Sequence, residues 1–264
     1  MSDDPPEYEQ LSAGIQDLTL ELRQIHVGKG RDSMVPVKPV HMRAVQIYEF
    51  IMSNGWNAFF KEVIYWNRKA TVVEKDISEA KFREEIFRDA NVEFVELHPE
   101  TFSKCKFVYV FKNRYLKAMH YFGRGYGCHA LLRGNEVIGD IWYYAPRESN
   151  GLSDHADLHW LGITLGLDSV YSFDIYFVPA ERGKNLPAAL QSSAMYALHQ
   201  KGYKKAIAYY WNDNIPAVWN TRVINRWKEV KAIAVSRFFL FRWVAEINSG
   251  QCFPTTIRIE RGGK

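Results

Sequence analysis

Apolar residues fall at helical spacing in the first fifty positions. Leu11, Ile15, Leu18, Leu22 and Ile25 lie four and three apart, and Val40, Ala44, Ile47, Tyr48 and Ile51 repeat the pattern before Gly55. A period near 3.6 places each set on one stripe, so both stretches predict helices. The acidic, proline-bearing start at residues 1–10 has little to bury and predicts disorder. Aromatic and β-branched residues then dominate 57–66 and 70–74, split by Asn67-Arg68-Lys69, which predicts a hairpin. Residues 92–97 predict a short strand broken by His98-Pro99, and two helical pieces follow to about Phe122. Apolar runs at 127–132 and 137–144 flank Arg133-Gly134-Asn135-Glu136, a strong hairpin signal. Further on, a strand at 170–178, a helix at 186–201 closed by Gly202, a strand at 205–211, a helix at 215–227 and strand-rich residues 230–243 complete the order. Hairpins early and strand–helix alternation late predict an α/β fold on a mixed sheet. The chain divides near residue 91 into an N-terminal helical and hairpin extension, 1–90, and a main domain, 91–264. The extension would cover a sheet edge, build part of a pocket or join two subunits as a homodimer.

Composition narrows the class. The chain has 264 residues, 47% of them hydrophobic, enough for one large core or a main domain plus a smaller one. It has no apolar run long enough to span a bilayer, and MSDDPPEYEQ lacks the basic and apolar parts of a secretory signal. Cys105, Cys128 and Cys252 are odd in number and far apart, which fits a reducing cytoplasm better than a disulfide framework. A net charge of +4 suits an anionic cofactor or an acidic substrate and does not indicate nucleic acid.

The chemistry concentrates at 170–190. Strict alternation would put Tyr171, Phe173, Ile175 and Phe177 on one face of the strand and Ser172, Asp174, Tyr176 and Val178 on the other. The second face either meets a covering helix or lines a cleft. The strand runs into Arg182-Gly183-Lys184-Asn185 and then a helix carrying Pro187 in its first turn. Free amides and the helix dipole at such a start favour an anion. The next strand ends in Trp211-Asn212-Asp213-Asn214, with Asn214 placed as a helix N-cap.

In this order and spacing, residues 91–245 resemble the GNAT superfamily of acyl-CoA N-acyltransferases. Val178-Pro179-Ala180-Glu181 followed by Arg182-Gly183-Lys184-Asn185-Leu186-Pro187 is similar to that family's strand end and diphosphate loop, and Asn214 with Ala217 matches its next signature. Asn185 and Pro187 replace two small residues, and Thr221 stands where the family carries a tyrosine.

The resemblance implies an acyl-CoA N-acyltransferase-like fold, with acetyl-CoA or another acyl-CoA as co-substrate and an amine as acceptor. The thioester would lie in a splay between strands 170–178 and 205–211. It would pair with backbone at Phe177 and Val178, and the Val178 amide would polarise its carbonyl. The diphosphate would rest on Gly183, Lys184, Asn185 and Leu186 with help from Arg182, and Asn214 and Ala217 would complete the coenzyme site. Asp174 is the candidate base, alongside a structural reading as a hydrogen-bonded carboxylate, and Tyr176 or water the candidate proton donor to the thiolate. Two alternatives remain open: a non-catalytic relative, and a same-fold enzyme using acyl carrier protein or aminoacyl-tRNA as donor.

His155, Asp157 and His159 would share a face if their segment were a strand. They would then line the acceptor site or, in a weaker reading, bind a metal for hydrolysis. Trp142, Tyr143 and Tyr144 run together and would line an aromatic acceptor pocket. Gly123-Arg124-Gly125-Tyr126-Gly127 precedes a strand, not a helix, and so is no phosphate loop.

Overall fold

The computed structural model describes residues 47–48, 51–52, 55–56, 65–100, 107–148, 154–238, 241–247 and 257–261. The helix expected at 11–25, most of the one at 40–51 and nearly all of the first hairpin strand lie outside these residues. The described chain runs β1 (Tyr65–Asp76), α1 (Glu84–Asp89), β2 (Glu93–Leu97), β3 (Val108–Tyr109), α2 (Lys112–Gly123), β4 (Gly127–Arg133) and β5 (Glu136–Tyr144). It continues with α3 (Ala156–Leu161), β6 (Ser169–Phe177), α4 (Leu186–Gln200), β7 (Lys205–Trp211) and α5 (Ile215–Val218), which widens into a π turn over Trp219–Ile224. Three strands follow: β8 (Lys228–Phe238), β9 (Phe241–Ile247) and β10 (Ile257–Arg261).

The ten described strands form one sheet, ordered β10-β9-β8-β1-β7-β6-β5-β4-β2, with β3 beside β5. β6–β7 and β3–β5 are parallel and the other pairs antiparallel, so the fold is α/β on a mixed sheet, as expected. Alternating side chains fill two cores. Cys128, Ala130, Trp142, Tyr144, Tyr171 and Phe173 face α2 and α3, which contribute Ala118, Phe122, Leu158 and Leu161. Leu131, Ile141, Tyr143, Val170 and Phe177 face α4, which contributes Leu186, Leu190, Ala194 and Leu198. The sheet is therefore covered on both sides, which accounts for strands that are apolar on both faces. No helix among the described residues is long and apolar enough to cross a membrane.

Two expectations need correcting. Residues 65–76 form one strand, not two arms of a hairpin, and that strand hydrogen-bonds between β7 and β8. Asn67-Arg68-Lys69 is a polar strand segment, and Arg68 reaches Asp213 beyond the end of β7 (Nε–Oδ2 2.7 Å). Residues 155–159 also do not alternate as a strand. The His155 ring caps α3 by accepting from the Asp157 amide, and Gly162 in the left-handed region ends the helix with backbone bonds to His159 and Leu158.

Candidate active site

The central feature is a gap between β6 and β7. Their pairing runs from Ser169–Lys205 to Tyr171–Ile207 and stops. Beyond it, each strand keeps its outer neighbour: β7 stays on β1 as far as Trp211, and β6 stays on β5 as far as Phe177. The divergence begins where β6 bulges. Trp142 pairs with Phe173 but Asp140 with Tyr176, so β6 holds one extra residue there, and Asp174 adopts φ 52°. A short polar side chain tolerates that left-handed conformation, and a bulge bends its strand. The bulge also breaks the expected alternation. Phe177 joins the α4 core, Tyr171 and Phe173 join the opposite core, and Ile175 is exposed.

A cavity of about 580 Å³ occupies this gap. On the α4 side it is lined by Arg182, Pro187, Gln191, Ala217, Asn220 and Thr221. On the α2–α3 side it is lined by Lys117, Tyr121, His155, Asp157 and Phe173. It therefore passes through the sheet and joins its two faces. Among the expected site residues, Asp174, Tyr176, Phe177, Arg182, Asn214 and Ala217 line it. Val178, Gly183, Lys184, Asn185 and Leu186 do not; the last four form the turn and first residue of α4 beside the Arg182 end.

That turn is open. Gly183 has φ 77° with free space where a side chain would begin, and Asn185 makes no capping bond. Among the described residues, no backbone carbonyl accepts from the amides of Gly183, Lys184, Asn185 or Leu186. Lys184 pairs with Glu181 (2.9 Å), which also binds Arg133 (2.6 Å). The Arg133 hydrogen bond, more than Lys184, holds the Glu181 carboxyl down at about 2. Arg182 donates from Nε to the Phe177 carbonyl (3.1 Å).

Two roles assigned from sequence do not fit this geometry. The Val178 amide donates to the Ile138 carbonyl (2.9 Å), so it points at β5 and is not free to polarise a thioester. Successive amides of an antiparallel strand alternate in direction, which turns the Phe177 amide toward the gap instead. Asp174 is the second correction. Its carboxylate accepts from Arg114 Nη1 and Lys117 Nζ, both at 2.9 Å, and its carbonyl accepts from Arg114 Nη2 (3.1 Å). Burial pushes this carboxyl up, but Arg114 and Lys117 outweigh it and hold it well below the usual carboxylate range. A carboxylate held so far below neutrality is a weak proton acceptor. Arg114, almost fully buried, also forms a two-point bond with the buried Asp140.

Tyr176 lies under the Arg114 guanidinium (4.8 Å to the ring centre), and burial raises its phenol, so it stays protonated at neutral pH. Asn214 caps α5 by accepting from the Ala217 amide (3.3 Å). Burial lowers His155 and Asp157 only partly opposes this, so the ring is neutral; its Nδ1 takes the Asp157 amide and its Nε2 carries the proton. His159 is exposed on the far side of α3, and Trp142, Tyr143 and Tyr144 are buried away from the cavity.

Arg114, Lys117 and Tyr121 were not anticipated. Their spacing of three and four on one helix stripe was visible, as was Asp140 inside an apolar strand, where a lone carboxylate demands a cation.

No family model and no curated protein matches the chain. Solved structures do. A Drosophila protein matches at 13% identity and TM-score 0.42, covering 77% of this chain and 59% of that one. A GCN5-related glucosamine N-acetyltransferase region of a fungal multi-domain GH3 β-N-acetylglucosaminidase matches at 16% and 0.46, covering 74% and 23%. A GCN5-related N-acetyltransferase-like protein from Streptococcus suis matches at 10% and 0.40, covering 70% and 68%. The chain spans less than two thirds of the length of the first two.

Proposed function

We propose that this protein transfers an acyl group from a coenzyme A thioester to an amine, through the gap between β6 and β7. The observation that carries this reading is the cavity that crosses the sheet where the parallel pair separates, with an uncapped helix start beside one end. An extended pantetheine needs a strand edge to lie along, and a diphosphate needs converging amides. The open edge of β6 and the amides of Gly183 to Leu186 supply both in the right order. Arg182 would leave the Phe177 carbonyl for the phosphates.

The amine would enter from the α2–α3 side and attack the thioester carbonyl within the sheet. The neutral amine attacks, a C–N bond forms, the C–S bond breaks, one nitrogen proton passes to water and the thiolate takes one proton up. The Phe177 amide would stabilise the developing oxyanion, and Tyr176, one of several tyrosines lining the cavity, would give a proton to the thiolate. Asp174 is a positioning residue, fixing the bulge that opens the gap. Holding both reactants in one enclosed channel supplies much of the acceleration.

The site favours a second reading in one respect. With the Val178 amide engaged and Thr221 in place of a phenol, the chain would bind the coenzyme without turnover. Titration with coenzyme A, acetyl-CoA and longer acyl-CoAs tests both readings. At one hundred times Kd, binding stabilises the native state by ~2.7 kcal/mol and raises Tm. Thiol release with amines then separates an enzyme from a binder. Absence of any Tm gain overturns both.

A further inference from the structure

We infer that the acceptor is a cationic amine held by the Asp157 carboxylate on the side of the sheet opposite the coenzyme, an inference that rests on the acyl-transfer reading above. Asp157 faces the cavity from the first turn of α3 and is about one quarter exposed. Its carboxylate is held in place by two donors. Trp160 Nε1 binds one oxygen (2.8 Å) and the Tyr171 hydroxyl binds the other (3.1 Å). A carboxylate has about four acceptor positions, so two remain open.

The charge balance of the cavity singles this group out. Asp174, the other carboxylate in the wall, is neutralised by Arg114 and Lys117. Its closest imidazole, His155, is uncharged, with Nδ1 3.8 Å from Asp157 Oδ2. No Lys or Arg forms an ion pair with Asp157 among the described residues. Arg182 is at the coenzyme end, bonded to Phe177. Among the described residues the acceptor side therefore carries one carboxylate, Asp157, with no Lys or Arg paired to it, since Arg124 acts on His155 only through space; the rings of Tyr121, Phe173, Tyr209 and Trp211 frame it. Aromatic walls lower the local dielectric and strengthen a charge-assisted bond to an ammonium. The same walls exclude an acceptor whose own carboxylate would sit beside Asp157. Arg68 covers one face of Trp211 (4.8 Å to the ring centre), so recognition comes from the carboxylate and not from that indole. The substrate class is an alkyl- or arylalkyl-ammonium without an acidic group near the nitrogen; it binds as the cation and gives one proton to water before the free amine attacks.

Thiol release from acetyl-CoA is measured with cadaverine, phenethylamine, glycine and glutamate, in wild type, Asp157→Asn and Asp157→Glu. The two acid-free amines should be acetylated, and glycine and glutamate should not. Asp157→Asn should raise KM for cadaverine by about 10- to 100-fold with a smaller change in kcat. Asp157→Glu should recover part of that loss, and the Kd for coenzyme A should be unchanged in both variants. Equal KM in wild type and Asp157→Asn, or a preference for glutamate, overturns the inference while the acyl-transfer reading stands. A protein that neither binds coenzyme A nor releases thiol fails that reading instead. In that case calorimetric titration with cadaverine decides the inference: binding in wild type that is lost in Asp157→Asn upholds the cation site, and no binding removes it.

Discussion

Replacing Asp174 with asparagine separates a structural carboxylate from a catalytic one. Asparagine has the same shape and tolerates the left-handed backbone at this position, so the bulge itself should survive. The electrostatics change. Asp140 and Asp174 balance Arg114 and Lys117, and the Arg114 side chain is only 5% exposed. Removing one carboxylate leaves a net positive charge in a largely buried site. Breaking a buried pair from one side costs ~3–5 kcal/mol. The Lys117 side chain is 32% exposed and Asp174 itself 19%, so solvent screens part of the loss. The expected destabilisation is thus nearer ~2–3 kcal/mol. For a domain of this size each kcal/mol shifts Tm by ~2–4 °C, giving a fall of ~4–12 °C at pH 7. The pH dependence follows from linkage. The folded carboxyl titrates well below the unfolded 3.8, so its stabilisation is complete above that value and is lost as pH falls toward the folded one. The gap in Tm between wild type and variant should be constant from about pH 8 to 5 and should narrow below about pH 4. Scanning calorimetry across that range is the assay. A Tm within ~1 °C of wild type, with turnover abolished, would refute the argument and restore Asp174 as the base.

Other outcomes follow from the same geometry. His129 is fully buried between the rings of Phe94 and Tyr143 with neither ring nitrogen bonded, and burial lowers it from 6.5 to about 4 against a smaller opposing effect of Glu96. The unfolded chain binds the extra proton between those values, so stability should fall by ~3 kcal/mol from pH 6.5 to 4. Urea titrations of His129→Leu should show that pH-dependent loss largely removed, and an unaltered profile would count against it. An alanine Cβ at Gly139 would lie 2.5 Å from the Phe177 ring. Gly139→Ala should therefore cost ~1–3 kcal/mol and weaken coenzyme A binding by displacing β6, as read by denaturation and calorimetry. Gly183→Val places a β-branched residue at φ 77° in the diphosphate turn. It should remove the coenzyme-dependent rise in Tm, while backbone strain of ~1–3 kcal/mol lowers the ligand-free Tm by roughly 2–12 °C, and an undiminished coenzyme-dependent rise would exclude this turn as the phosphate seat.

What the sequence determined by itself was local. The strand from Val170, the Arg182–Asn185 turn, the helix from Leu186 and the hairpin around Gly134-Asn135 depend on turn chemistry and periodicity within a dozen residues, and each was legible from spacing alone. The capping role of Asn214 was legible for the same reason, since its partner is the amide three residues on. Only the tertiary structure decided the rest. Arg114 meets Asp174 across 60 positions, and Thr71 meets Asn212 across 141. No periodicity within either segment encodes such a meeting. β1 looked like part of a hairpin because a polar triplet between apolar runs resembles a turn, yet two distant strands supply its hydrogen bonds. The bulge at Asp174 reversed the side-chain alternation, because one extra residue exchanges the faces of everything after it. The direction of the Val178 amide was fixed by pairing with β5. The channel through the sheet exists because β6 and β7 are each held by a different outer neighbour, a condition written in the sheet order and not in either strand.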